Sequence, residues 1–505
     1  MSIWLRFGDR SIRWDGRLPG GPPVLVPPAW ALVERIWESI DAPRSLAVIE
    51  PHAWLDETVA EFPEQLASLR LCMVVPDATR SGAFLALIPP LLRRLGDLPF
   101  AARTLLVATG THRPVSAETL RAHFTSHEAN AIAWDRWSLI QNSEEQFRTH
   151  REIGRTKAGT PVRLHPAYLD ADVRIVVGET TYHYFAGYGG ASKMIFPGLA
   201  DPEGAMRNHR LALRVAPTEG PGQSILDGQA AGAPVASGGR APGAAGNEPA
   251  DEAGSGSEVR WNEACAPGSV DHNPVAQDLA EAARLAPSAW TVIADPDPPA
   301  NPDPAKPSAY PLRVLQGRAG SSDPVQEARR SLDARGTVVF TRAPELIIVD
   351  AGGGMRDATF LQAHKSLQHA ARFVPAGGSI LWMARCSEGF GSRDLEMLAR
   401  AEVSLSHEEV FSHEELSAQE GSAVAPGNGL HAQTICALHR AVAHARVALW
   451  SDLPPDQVRR LGIEPLGSES ESLQWLARSS ARFWGWLPRV ERFIPASGWR
   501  GGNVS

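Results

Sequence analysis

Six short runs rich in Val, Ile and Leu, each ending in a polar or glycine turn, constrain this chain more than any other feature. They are LCMVVPD (71–77), RTLLVAT (103–109), VRIVVGE (173–179), WTVIADP (290–296), PELIIVDAGG (344–353) and GSILWMARC (378–386). Strands that are apolar throughout, rather than alternating, are covered on both faces, as in parallel sheets flanked by helices. Helices predicted at 116–124, with Ser116 as N-cap, and at 358–374 supply such cover. The expected class is therefore α/β, with mainly parallel, helix-covered sheets. At 505 residues the chain exceeds one ordinary core, so two such domains are expected with a cleft between them, and 43% hydrophobic residues suffice to fill them.

Two segments interrupt the rhythm. Residues 215–260 are dominated by Gly, Ala, Pro and Ser and cannot bury enough apolar area to offset chain entropy, so they read as an insertion. DPDPPANPDPAKPS, at 295–308, reads as a stiff Pro-rich loop. The division expected is a first domain over 1–285, a second over 286–445, and a tail over 446–505 packing back on the first. Trp475, Trp484, Trp486 and Trp499 would be the tail's anchors. Net charge of −8 argues against a nucleic-acid surface. No apolar run approaches the roughly 20 residues needed to span a bilayer, so a soluble, cytoplasmic protein with no membrane partner is expected. Cys72, Cys265, Cys386 and Cys436 are far apart, with no CxxC pair, and are expected to be reduced core residues.

Against 45 arginines stand four lysines: Lys157, Lys193, Lys306 and Lys365. Where arginine serves every generic need for positive charge, a retained lysine points to a need for a compact, deprotonatable amine. Lys193 closes the run HYFAGYGGASK, and Lys365 lies in FLQAHKSL.

In parallel α/β sheets ligands bind beyond the carboxyl ends of the strands. Asp77, Thr79 and Arg80 follow the first run, His112 and Arg113 the second, and Glu179, Thr180 and His183 the third. A single polar residue after a strand is usually a turn former; three such clusters point to a site. In the third, Gly187, Gly189 and Gly190 would leave backbone N–H groups open to a phosphate, with Lys193 directly after them. GYGGASK lacks the GxxxxGK[ST] order of a Walker loop. Of the crowded Tyr182, Tyr184 and Tyr188, two are expected to pack in the core. His209 is either a metal ligand or a surface histidine. Gln362 and Lys365, three apart on a predicted helix, share one face.

PDATRSG, ATGTHRP, HYFAGYGGASKMIFPG with its following NH, and FLQAHK together resemble the nickel-dependent lactate racemase family, in order over roughly residues 70–390. The resemblance implies two α/β domains with the site between them. It also implies a nickel-pincer nucleotide (pyridinium-3,5-bisthiocarboxylic acid mononucleotide with nickel), attached covalently to Lys193 and ligated through its metal by His209. The proton-transferring pair falls on His112 and His183, and the substrate grip on Arg80, Gln362 and Lys365. Asp77, Thr79 and the three glycines would border the cofactor. Proteins that synthesise the cofactor are implied partners, and a small 2-hydroxy acid the implied substrate.

The implied reaction is racemisation or epimerisation by reversible hydride transfer. It avoids a carbanion beside an ionised carboxylate, and it asks for one acid/base for each hand. Where lactate-acting members commonly carry Tyr before the Gln, this chain has Leu361. Where they carry a later Trp, the nearest counterpart is His431, and GGRK becomes GASK. A roomier, more apolar pocket and a substrate larger than lactate are expected. The alternative is a non-catalytic homologue that binds the cofactor or a carboxylate. A nicotinamide-dependent dehydrogenase is disfavoured, since no GxGxxG follows an early strand with an acidic residue about 20 positions on.

Overall fold

The computed structural model describes residues 3–7, 10–14, 66–80, 82–125, 132–190, 192–217, 257–296, 312–318, 323–338, 343–400, 432–481, 483–487 and 490–496. Two sheets organise them. The first contains β1 (Arg70–Pro76), β2 (Ala102–Ala108), β3 (Ser138–Gln141), β4 (Val173–Glu179), β5 (Trp290–Pro296) and β6 (Leu312–Arg318), in the order β6-β5-β4-β1-β2-β3. All neighbours are parallel except the edge pair β5–β6.

Alternate residues along each strand enter different cores, which is why the runs are apolar throughout. Leu71, Met73 and Val75 pack with the helices α1 (Ile88–Asp97) and α2 (Ala117–Phe124). Cys72 and Val74 pack on the opposite face, with Phe196, Leu199 and Ala282. Ser116 caps α2 as its sequence predicts, its hydroxyl accepting from Thr119 N at 3.1 Å.

The second sheet contains β7 (Leu346–Asp350), β8 (Ser379–Met383), β9 (Arg446–Trp450), β10 (Glu464–Leu466) and β11 (Trp484–Leu487), all parallel, in the order β10-β9-β8-β7-β11. One face packs on Phe360, Ala363 and Leu367 and on Ile435 and Leu438; the other packs on Trp475, Trp484, Trp486 and Phe7.

Three of the expected boundaries are therefore corrected. Trp290–Pro296 was assigned to the second domain, but its backbone pairs in parallel with β4, so the first sheet extends beyond residue 285. The tail after 446 does not pack back on the first domain: it supplies three strands of the second sheet, and Trp475, Trp484 and Trp486 fill that sheet's core. Among the described residues of the tail only its end crosses over, where Arg492 donates to the Thr180 carbonyl at 2.9 Å. Trp499 lies outside the described residues. The N-terminal strand Ile3–Phe7, placed in the first domain by its position in the chain, sends Phe7 to stack on Trp450, ring centroids 4.4 Å apart. An apolar strand fits either of two similar sheets, and local composition carries no mark of which edge it joins.

The ends of the low-complexity insertion, Leu213–Pro217 and Ser257–Trp261, form an antiparallel ladder; its interior, 218–256, lies outside the described residues. The four cysteines are free thiols, three of them buried. No helix among the described residues is long and apolar enough to cross a membrane.

Candidate active site

The chain runs β1, β2, β3 to one side of the first sheet and then returns to place β4 on the other side of β1. Beyond the carboxyl ends of β1, β2 and β4, at this reversal, lies a cavity of about 220 Å³ whose opposite wall comes from the helix α6 (Phe360–Ala370). Helices α3 (Pro202–Arg210), α4 (Pro274–Arg284) and α5 (Pro324–Gly336) precede α6 in the chain. The strand-end and glycine-run residues singled out in the sequence line this cavity, with His209, Leu361, Gln362 and Lys365; Arg113, Thr180, Gly187 and Tyr188 do not.

After β1, Asp77 turns back to accept from Thr79 N at 2.8 Å and from its hydroxyl at 2.5 Å. The other carboxylate oxygen lies 2.6 Å from His112 Nδ1. Asp77 and Thr79, expected among the cofactor contacts, are thus bonded to each other and to His112. Burial opposes ionisation of Asp77, but His112, Arg80 and the Thr79 hydroxyl outweigh it and hold the carboxyl well below its usual range. His112 is reached through Gly110, whose φ of 57° turns the chain out of β2. Burial lowers the His112 imidazole, Asp77 partly restores it, and Lys365 and Arg80 lower it further.

After β4, His183 is buried, and burial, then Lys193, Arg80, Lys365 and His209, push it well below the ordinary imidazole value. Its Nδ1 accepts from Ala186 N at 3.2 Å. The hydrogen-bond partners give the two histidines different neutral tautomers. His112 donates from Nδ1 to Asp77 and keeps a lone pair on Nε2; His183 accepts at Nδ1 and carries its proton on Nε2.

Phe185, missed in the sequence, is the hub of this wall. Its ring meets His183 edge-on at 4.6 Å and His209 at 4.9 Å, and Lys193 Nζ lies 5.4 Å from its centroid. Burial, with Arg80 next, brings the Lys193 amine down to about 7. His209 reaches the cavity from α3, which begins at the N-cap Asp201 with Pro202 after it. Asn208 beside it anchors the helix, donating to Val275 O at 3.1 Å and Asp278 at 2.9 Å.

The glycines act by close approach. The Gly189 amide donates to Thr181 O at 2.8 Å and so is not open to a phosphate. A Cβ on Gly190 would lie 2.2 Å from the Glu179 carbonyl, and one on Gly187 2.1 Å from that of Ser269; both residues have positive φ. Tyr182 and Tyr188 both donate to Asp333, whereas Tyr184 faces His364 across the cleft, OH to Nε2 at 3.2 Å.

From the second sheet's side, Lys365 Nζ donates to Gln362 Oε1 at 2.6 Å. Burial and the neighbouring Arg80 pull the Lys365 amine well below its usual value, with Asp77 acting in the opposite sense. Leu361 is half-buried beside them. His431 lies outside the described residues. Arg356, His364, His369, Gln433 and Glu491, which the sequence reading missed, also line the cavity. Arg356 follows β7 in a Gly-rich turn, the signal that found the other strand-end clusters. Among the described residues no group of three or more His, Cys, Asp or Glu is placed to hold a metal.

Residues 57–220 match the family model described as the lactate racemase N-terminal domain. Curated relatives are a lactate racemase of Lactiplantibacillus plantarum, 29% identical over 28% of this chain and 32% of that protein, and one of Thermoanaerobacterium thermosaccharolyticum, 21% identical over 64% and 61%. The chain thus spans about one third and three fifths of those relatives. Among solved structures, the lactate racemase apoprotein of T. thermosaccharolyticum shares the fold with a TM-score of 0.61 at 16% identity, covering 98% of this chain and 100% of that one. A Thermotoga maritima protein does so with a TM-score of 0.56 at 13% identity, covering 86% and 95%.

Proposed function

We propose, for a chain that belongs to the lactate racemase-like family, that it is an isomerase: a racemase or epimerase of a 2-hydroxy acid that works with a nickel-pincer nucleotide carried on Lys193. The observation that carries the reading is the Lys193 amine, brought down to about 7 and sharing one cavity with His112, His183 and His209. At pH 7 about half of such an amine is neutral, and the neutral form is the one that would bond to a thiocarboxyl carbon as that carbon loses its hydroxyl as water. His209 would be the protein's ligand to the nickel. These residues fit the group. Bound there, it supplies a reversible acceptor for the hydride of the carbinol carbon.

The protein's own groups divide the remaining work. Arg80, Gln362 and Lys365 hold the substrate carboxylate. His112, with Nδ1 fixed by Asp77, takes the hydroxyl proton at Nε2. His183 begins as a hydrogen-bond donor from Nε2 and must release Ala186 N–H before Nε2 can serve as a base. The enantiomer facing His112 therefore reacts first without rearrangement of the site. Leu361, in place of a tyrosine, leaves room for a substrate larger than lactate. Loading requires the proteins that synthesise the cofactor, acting in the cytoplasm.

The test is the intact mass and nickel content of full chain produced with cofactor-synthesis proteins. The expected result is one added pincer mass, less the water released on attachment, and one nickel, both lost in Lys193→Arg. The same added mass on the arginine variant would overturn the attachment, and an unmodified wild-type chain the cofactor itself.

A further inference from the structure

The helix α6 lines the cavity for longer than a three-carbon acid requires. Gln362, Lys365, Ser366 and His369 follow the i, i+3, i+4, i+7 spacing of one helix face, and all four border the cavity. From Gln362 to His369 that face runs about 10 Å at the helical rise. The substrate grip, Gln362 and Lys365, occupies its first two turns, and the last turn, which carries His369, has no assigned task.

The far end of this wall is polar. His369 is 3% exposed, and its Nδ1 is buried with no hydrogen-bond partner among the described residues. Buried polar atoms are nearly always paired, so an orphan in a cavity wall calls for a ligand or a bound water. Beside it Arg356 donates to Glu491 Oε1 at 2.5 Å, both side chains mostly buried. Gln433 and Thr434, 4% and 2% exposed, also line the cavity. Ser366 and His364 are already engaged, by Trp382 and by Tyr184 and the Leu361 carbonyl.

Charge decides what such a wall selects. The Arg356 cation is matched by Glu491, which would repel a second carboxylate. Burial brings His369 to about 4, so its ring is neutral at pH 7 and offers one donor and one acceptor. A hydrocarbon side chain would leave the His369 Nδ1 desolvated and unpaired. A hydroxylated one would pair it.

We propose that this wall is a specificity subsite, in which His369 and the Arg356–Glu491 pair read hydroxyl groups at the remote end of a substrate, so that the preferred acid is a polyhydroxylated 2-hydroxy acid. The inference rests on the 2-hydroxy acid reading above and replaces the apolar pocket that Leu361 alone suggested.

The test is calorimetric binding of gluconate, 2-hydroxyhexanoate and lactate to the full, cofactor-loaded chain. The first two acids share six carbons and differ in side-chain hydroxyls. Gluconate is expected to bind at least tenfold more tightly than 2-hydroxyhexanoate. His369→Leu should lose that preference while changing lactate affinity by less than twofold; Arg356→Met provides a second variant of the same wall. Equal or tighter binding of 2-hydroxyhexanoate by wild-type protein overturns the subsite and leaves the racemase reading standing. Binding of none of the three acids overturns the 2-hydroxy acid reading, and the inference with it.

Discussion

Arg492→Met should destabilise the protein in a way that depends steeply on pH. Arg492 comes from the turn Val490–Arg492 of the second sheet's unit and pairs with Glu179 at the end of β4, each 7–8% exposed. The second Glu179 oxygen accepts from Ala83 N at 2.7 Å. Methionine keeps the length of the side chain and removes its charge. At pH 7 the abandoned carboxylate is neutralised most easily by taking a proton. From an ordinary pKa near 4.3 this costs about 1.36 kcal/mol per pH unit, or about 3.7 kcal/mol.

Losing the donor to the Thr180 carbonyl adds about 1 kcal/mol. The result, about 4 to 5 kcal/mol, agrees with the roughly 3–5 kcal/mol typical of a broken buried pair. In the variant the folded-state carboxyl pKa is raised above its unfolded value, so the penalty grows with pH above the unfolded pKa and fades as pH falls towards it. At pH 5 the protonation cost shrinks to about 1 kcal/mol and the whole penalty to about 2. Urea unfolding followed by tryptophan fluorescence at the two pH values measures this. Adding Glu179→Gln should recover most of the loss at pH 7. Equal destabilisation at pH 5 and pH 7, or a loss below about 1 kcal/mol at pH 7, would refute the reasoning.

Asp77→Asn should reduce kcat by about 10²- to 10⁴-fold with KM little changed, because the Thr79 donors hold the amide oxygen and turn the amide N–H towards His112, forcing its proton onto Nε2; steady-state kinetics within about threefold of wild type would contradict this. In the cofactor-free protein Lys193 should acylate with a midpoint near pH 7, against about 10.4 for an ordinary lysine. Peptide mapping across pH 6–10 is simplified by there being only four lysines, and a Lys193 profile that matches exposed Lys157 would count against a depressed amine.

Much of the site was legible because its residues follow strands. Asp77, His112 and His183 sit where an apolar run ends, and in a parallel sheet that position is the mouth of the cavity. The hydrogen bonds among them were not legible. Asp77 lies 35 residues from His112, and only the adjacency of β1 and β2 brings carboxylate and imidazole together. Phe185 read as one aromatic among several until its contacts with His183, Lys193 and His209 were in view. His369 was recoverable from the helical spacing of Gln362 and Lys365, had the helix been followed one turn further. The second sheet's membership was not recoverable, since β11 joins it from a position more than one hundred residues after β7 and β8.

The most direct test of the central claim follows one enantiomer of a 2-hydroxy acid, deuterated at C2, through incubation with the nickel-loaded protein and then chiral separation and mass analysis. The account predicts that both enantiomers appear and that both retain deuterium at C2, because hydrogen leaves and returns without mixing with solvent. Racemisation with loss of the label to water would contradict the hydride route, and an unchanged enantiomeric ratio for lactate and for every larger acid tried would contradict the assignment as a racemase.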